Sequence, residues 1–213
     1  PTRRSSDLIL EAEGLKIAIV PQPNWRDDLR DFKKLGRPRL FFGISGGCMD
    51  SMVNKYTANK RLRSEDAYTP DGRPDMRPDY PSTVYSQILK KLFPDVPVVI
   101  GGIEASLRRL SHYDYWQDKV QKSILCDSGA DLLIYGMGEK PLADLVKNMK
   151  SLLTTEEPVL TSSKFRTIIG SVPQTAYLCR ATEWTSAEDD LQLYSHEECL
   201  ADRKKQASNF RHI

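Results

Sequence analysis

Apolar and polar positions along the chain follow the pattern of short strands joined by helices. Four apolar runs predict strands, at residues 16–20, 40–45, 96–100 and 131–135. Apolar residues at helical spacing predict helices, at residues 9–13, 27–35, 81–93 and 141–149. Strands that are apolar throughout are typical of a parallel sheet covered on both faces, so the pattern predicts an α/β fold with a doubly wound, mostly parallel, flavodoxin-like sheet.

The pattern changes after residue 150. The sequence there predicts a polar connection, a two-stranded hairpin, a short strand and a helix, at residues 151–164, 166–170 with 175–180, 191–194 and 197–209. We therefore divide the chain into an α/β domain at residues 9–150 and a connecting β/α segment at residues 151–213.

The two ends are atypical of natural termini. Residues 1–8 are the peptide that one reading frame of a common short-read sequencing adapter encodes, and we interpret them as an adapter-derived artefact. A genuine basic N-terminal arm is the alternative. We expect the fold to be incomplete at both ends, with the protein proper beginning near Ile9.

Composition narrows the class of protein. The 213 residues are 39% hydrophobic and 28% charged with a net charge of +2, which predicts a globular protein and gives no electrostatic case for nucleic acid or an acidic membrane. No apolar run approaches the roughly 18 residues that span a bilayer. The scattered cysteines Cys48, Cys126, Cys179 and Cys199 fit reduced thiols in a cytoplasmic protein and predict no metal site.

Glycine-containing loops follow three predicted strands, and ligands of open α/β sheets bind beyond the carboxyl ends of the strands. The candidate ligand-binding residues there are Ser45, Asp50, Gly101, Gly102 and Glu104. Tight turns also use glycine for purely structural reasons. The chain lacks the G-x-G-x-x-G and Walker A patterns, which disfavours nicotinamide dinucleotides and nucleoside triphosphates.

A second candidate site follows the third strand. Adjacent arginines hold phosphate or carboxylate groups, and aromatic rings stack on planar ligands. The candidates are Arg108, Arg109, Tyr113, Asp114 and Trp116. The alternative is an Arg–Asp network with a buried Trp116. His112 is either an acid–base group near pH 7 or a structural residue.

The long insert at residues 51–79 mixes basic, acidic and aromatic residues. Basic and aromatic residues together bind single-stranded nucleic acid, whereas the balancing acidic residues favour a solvated loop whose charges pair with each other. We favour the self-paired loop. A long loop in a compact domain is often functional.

Long motifs occur in a fixed order along the chain. They lie at residues 41–44, 50–58, 61–63, 66–70, 101–109, 112–116 and 131–141. In that order they resemble the YgiQ family of radical S-adenosylmethionine (radical SAM) proteins. The similarity runs from about Ile9 to about Gly138 and continues more weakly to the end.

The resemblance implies an N-terminal α/β domain, similar to cobalamin-binding domains, followed by a radical SAM barrel. That barrel would carry C-x-x-x-C-x-x-C, which holds the [4Fe–4S] cluster that binds S-adenosylmethionine. The chain ends before this motif, so we assign no cluster ligand and no catalytic residue here and expect no bound cofactor. It would be an accessory domain of an enzyme of unknown substrate, inactive alone. Its partners would be its own C-terminal barrel, the substrate and an electron donor such as flavodoxin or ferredoxin.

Two alternatives stay open. One is a small-molecule-binding module of the cobalamin or flavodoxin type, because Gly101, Gly102 and the Ser45 region resemble contact points of cobalamin-binding domains. The histidine loop that usually makes the first contact is missing. The other is a fragment of an RNA-modifying radical SAM enzyme whose basic insert holds tRNA, which the near-neutral charge disfavours.

Overall fold

The computed structural model describes residues 5–153 and 158–213. Its strands are β1 Phe42–Ser45, β2 Val98–Gly101, β3 His112–Asp114, β4 Lys119–Gln121, β5 Leu132–Ile134 and β6 Thr175–Ala176. Its α-helices are α1 Ser5–Ala12, α2 Arg30–Lys33, α3 Ser51–Lys55, α4 Pro81–Leu92, α5 Gly102–Leu107, α6 Ile124–Ser128, α7 Glu139–Ser151, α8 Ser162–Phe165, α9 His196–Ala201 and α10 Arg203–Phe210.

A mixed sheet forms the centre of the domain, with strand order β1-β2-β5-β6. The first three strands run parallel, with Ile44 opposite Ile100 and Ile100 opposite Leu133. Strand β6 pairs antiparallel with β5. The predicted α/β class with a mostly parallel sheet is therefore confirmed, while the flavodoxin-like assignment stays a prediction.

Both faces of the sheet are buried, because successive residues of a strand point to opposite sides. Val98 and Ile100 of β2 and Leu133 of β5 join one apolar cluster with helices α4 and α6. Val99 of β2 and Leu132 of β5 join a second cluster that contains Leu145 and Met149 of α7. This two-sided burial explains why the strands are apolar at every position.

The two long helices match the predicted ones, and their ends follow known capping preferences. Helix α4 begins with Pro81 at its first helical position and carries Lys90 in its last turn. The Lys90 ammonium lies 2.5 Å from the Asp131 carboxylate, which also accepts a hydrogen bond from the Val98 amide at 2.8 Å. This contact fixes the end of α4 to the starts of β2 and β5.

The predicted strand at residues 16–20 is wrong. Within the described residues this segment has no sheet partner, and Ile19 is 62% exposed. A β-rich run becomes a strand only where a sheet edge and an apolar surface receive it. The sheet therefore has three parallel strands instead of the four that the apolar runs predict.

The C-terminal predictions are corrected in three places. The hairpin is wrong, because residues 166–170 follow α8 into a short 3-10 turn and β6 pairs with β5. No strand forms at residues 191–194. The single helix at residues 197–209 is two helices, since Asp202 has extended backbone angles and caps α10 by accepting a hydrogen bond from the Lys204 amide at 2.8 Å.

The hairpin of β3 and β4 was not predicted from the sequence. Its register places Tyr113 opposite Val120, and the turn between the strands includes Asp118 at φ 53°. The described helices include none that is both long and apolar enough to cross a membrane.

A substitution of Leu145 tests the packing of α7 on the sheet. Leu145 is fully buried, so we expect Leu145→Ala to lower the free energy of unfolding by about 2–5 kcal/mol. The matched control on the same helix is Lys147→Ala, an exposed position where a change within about 0.5 kcal/mol is expected. Urea unfolding followed by circular dichroism measures both. Equal losses in the two variants would contradict this packing.

Candidate functional site

The carboxylate of Glu104 lies buried beneath the carboxyl end of the parallel strands. The residue belongs to α5, follows the end of β2 and is 1% exposed. One carboxylate oxygen accepts a hydrogen bond from the Ser82 amide at 2.8 Å, and the other accepts one from the Ser51 amide at 3.2 Å. A single side chain therefore connects the first turns of α3 and α4 to α5.

A buried ion pair lies next to this carboxylate. The guanidinium of Arg108 pairs with the Asp50 carboxylate, and their side chains are 10% and 8% exposed. Asp50 also caps α3, since one of its oxygens accepts hydrogen bonds from the amides of Met52 and Val53 at 3.0 and 3.2 Å. Arg108 additionally donates to the Glu104 carbonyl at 3.3 Å. The two charges balance each other, while the Arg108 Nε atom is buried without a hydrogen-bond partner among the described residues.

Tyr80 connects this ion pair to the β3–β4 hairpin. The Arg108 guanidinium lies 5.2 Å from the centre of the Tyr80 ring, and the Tyr80 hydroxyl donates to the Asp114 carboxylate at 2.8 Å. Burial raises the pKa of the Tyr80 phenol, and the Asp114 carboxylate adds to that shift. Tyr80 therefore stays a proton donor across the physiological range.

Two glycines allow the backbone to pack closely at this edge. Gly102 has φ +83°, and a Cβ there would lie 2.8 Å from the Ser45 hydroxyl oxygen. At Gly46 a Cβ would lie 3.0 Å from a carboxylate oxygen of Glu104. These glycines are therefore explained by packing within the chain.

The polar insert at residues 51–79 pairs several of its charges internally, as the favoured interpretation predicts, whereas Lys60, Arg61 and Arg63 form no ion pair among the described residues. Arg77 pairs with Asp66 at 2.7 Å, and Lys55 pairs with Asp75 at 2.6 Å and Asp79 at 2.7 Å. The Lys55 ammonium holds the pKa of the Asp75 carboxyl below its usual value. These pairs hold the insert together, and Arg77 attaches it to the end of β1 by donating to the Gly46 carbonyl at 3.3 Å.

An open cleft of about 380 Å³ lies between the insert and the hairpin. Its lining residues are Met52, Tyr56, Lys60, Asp79, Tyr80, Trp116 and Gln117. Trp116 was a sequence candidate, whereas Tyr56, Lys60 and Tyr80 belong to the mixed basic and aromatic stretch for which we favoured a self-paired loop over nucleic-acid binding. The available signal was the alternation of basic and aromatic residues in the insert.

The remaining sequence candidates do not share one site. Asp50, Glu104, Arg108 and Asp114 form the buried network, and Ser45, Gly101 and Gly102 lie at the strand ends above it. Arg109 diverges from Arg108, because it lies over the Tyr135 ring at 4.9 Å. Tyr113 is 53% exposed. The structure shows the Arg–Asp contact of the alternative, whereas Trp116 is only partly buried.

His112 is half-buried against its own hairpin. One ring nitrogen lies 3.0 Å from the Leu110 carbonyl oxygen, and burial lowers the pKa of the imidazole. The imidazole is therefore neutral near pH 7, which fits a structural residue better than an acid–base group.

None of the described residues form a cluster of three or more His, Cys, Asp or Glu side chains suited to a metal ion. Cys48, Cys126 and Cys179 are exposed, and Cys199 is buried beside Asn209. The residues present therefore do not fit an iron–sulfur cluster.

Comparison with known proteins places this arrangement in a family. The family model described as Radical SAM N-terminal matches residues 7–213. The chain belongs to this family. This match confirms the resemblance to radical SAM proteins that we inferred from the ordered motifs.

Its relatives are longer bacterial proteins. The domain is 82% identical over 205 residues to a UPF0313 protein of Bacteroides thetaiotaomicron, covering 96% of this chain and 33% of that protein. It is 66% identical to a UPF0313 protein of Porphyromonas gingivalis, covering 96% and 31%, and 53% identical to one of Pseudomonas putida, covering 67% and 18%. The chain thus spans about a third or less of these relatives. No solved structure matches it.

The buried ion pair of this domain gives a direct mutational test. Arg108→Met leaves the Asp50 carboxylate buried without its cation, so we expect a loss of about 3–5 kcal/mol in the free energy of unfolding. The control is the neighbouring Arg109→Met, at a partly exposed arginine, with an expected loss below about 1.5 kcal/mol. Denaturant unfolding compares the two, and a larger loss for Arg109→Met would refute the assignment.

Proposed function

We propose that this chain is the N-terminal accessory domain of a YgiQ-type radical SAM enzyme and that the rest of the parent protein holds the [4Fe–4S] cluster and S-adenosylmethionine. The observation that carries the proposal is the match to the radical SAM N-terminal family over residues 7–213, in a chain that spans 33% of its Bacteroides relative. The bound cofactor supplies the radical chemistry.

The positions of the cysteines in this chain support the proposal that the cluster lies in the rest of the parent protein. They are far apart in sequence, and three of the four are exposed rather than gathered in a pocket. We therefore assign this domain no role in cofactor binding and propose that it contributes a rigid surface to the parent.

An apolar edge is suited to contact the rest of the parent. Ile103 and Leu107 lie one turn apart on α5 and are 46% and 59% exposed, and Met137 is 75% exposed. The Gly136 amide donates to the Ser106 hydroxyl at 3.2 Å, so the loop that carries Met137 lies against α5. Exposed apolar clusters of this kind mark interaction surfaces. We assign this edge to the C-terminal part of the parent chain.

Iron content and cofactor cleavage test the proposal. This chain and the full-length Bacteroides relative are each reconstituted anaerobically with iron and sulfide, reduced, and assayed for 5′-deoxyadenosine released from S-adenosylmethionine. We expect the full-length protein to hold a cluster and release the product, and this chain to do neither.

A triple variant of this chain provides the control. Cys48→Ala, Cys126→Ala and Cys179→Ala together remove the exposed thiols that bind iron adventitiously. Iron that this variant loses is therefore bound through those thiols, and iron that it keeps is not. Product release by this chain alone, or a full-length protein that releases none, would overturn the proposal.

A further inference from the structure

The cleft lined by Tyr56, Lys60 and Trp116 is held open by contacts within the protein. The hydroxyl of Tyr115 donates to the Ala58 carbonyl at 2.6 Å, and the Lys60 ammonium donates to the Trp116 carbonyl at 3.3 Å. These bonds join the turn at residues 57–61 to the turn of the β3–β4 hairpin. The cleft is therefore preformed, which lowers the entropic cost of binding.

Aromatic rings form one wall of the cleft. The ring centres of Tyr56 and Trp116 lie 5.5 Å apart at an interplanar angle of 41°, and Trp116 meets the Tyr115 ring edge-on at 5.3 Å. Trp116 is only partly buried by these neighbours. It thus keeps accessible surface on which a planar ligand can stack.

The rim of the cleft is cationic although the insert is nearly balanced in charge. The acidic residues Asp66, Asp75 and Asp79 pair with Arg77 and Lys55.

The cations left over lie together. Lys60, Arg61 and Arg63 are exposed, and no ion pair among the described residues includes any of them. Lys60 lines the cleft, and Arg61 and Arg63 follow it on either side of Leu62, the residue that bridges to Tyr56. The structure therefore converts a balanced sequence into a local excess of positive charge.

We propose that this cleft binds a nucleobase with its attached phosphate, either in a free nucleotide or in a single-stranded nucleic acid. Aromatic rings beside unpaired cations are how proteins hold bases and their backbone together. Gln117 on the lining offers an amide for the base edge, whereas the Asp79 carboxylate already accepts from the Lys55 ammonium and the Tyr56 hydroxyl. The volume of about 380 Å³ lies in the ordinary range of ligand pockets.

This assignment is independent of the radical SAM chemistry, because every residue involved lies within this chain. A purely apolar ligand would leave the cationic rim without a role. An inorganic anion would leave the aromatic wall without one. A ligand that carries both a ring and a phosphate uses both.

The test measures binding of two probes to the full chain. Adenosine monophosphate is titrated by calorimetry, and a short labelled single-stranded RNA of mixed sequence is titrated by fluorescence anisotropy. Adenosine and inorganic phosphate serve as partial ligands, and each should bind more weakly than adenosine monophosphate.

Four substitutions separate the contributions of stacking and charge. We expect Trp116→Ala to weaken both probes about tenfold and Trp116→Phe to retain most of the affinity. Lys60→Ala and Arg63→Ala should weaken both probes more than they weaken adenosine. For the RNA, each should lower the slope of log affinity against log salt by about 0.7.

Matched controls remove a tryptophan and a lysine elsewhere. Trp184→Ala and Lys91→Ala change exposed residues outside the cleft and should leave both affinities unchanged. Circular dichroism confirms folding. If Trp116→Ala does not fold, Trp116→Phe, Lys60→Ala and Arg63→Ala decide the result.

Either probe binding through these residues supports the proposal, and the tighter probe identifies the source of the nucleotide. The proposal is overturned if neither probe binds. It is equally overturned if binding is indifferent to Trp116, Lys60 and Arg63 in folded variants.

Discussion

The buried carboxylate of Glu104 is the contact on which the carboxyl edge of the sheet depends. A carboxylate removed from water costs several kcal/mol unless hydrogen bonds replace its hydration. Here the amides of Ser51 and Ser82 supply those bonds, and the Arg108–Asp50 pair lies alongside. The same bonds fix both ends of the polar insert, so the loop that forms the cleft begins and ends at one buried group. The arrangement of the candidate site thus follows from the need to supply hydrogen bonds to one buried carboxylate.

Much of the sheet was predictable because its strands and helices are specified locally. Strands β2 and β5 are apolar at successive positions, and the apolar spacing of α4 and α7 matches their buried faces. The segment at residues 16–20 has the same local pattern but lacks a partner edge, which no local pattern reveals.

Part of the candidate site was predictable for a similar reason. Motif positions after β2 identified Glu104 and Arg108, and the structure brings both together with Asp50. Tyr80 counted only as an aromatic residue beside the mixed insert, because its contacts with Arg108 and Asp114 arise from the fold, where it adopts φ 51° directly before Pro81. The excess of positive charge beside the cleft could not be predicted from the sequence either, because it depends on which acidic side chains form ion pairs in the folded structure.

Amide hydrogen exchange at Ser51 and Ser82 tests most directly whether Glu104 organises this end of the domain. If the carboxylate holds both amides, they should exchange as slowly as amides in the core of the sheet, and Glu104→Gln, which keeps only one acceptor oxygen, should speed exchange at one or both. Exchange at both amides as fast as in exposed loops of the unmodified chain would contradict the account.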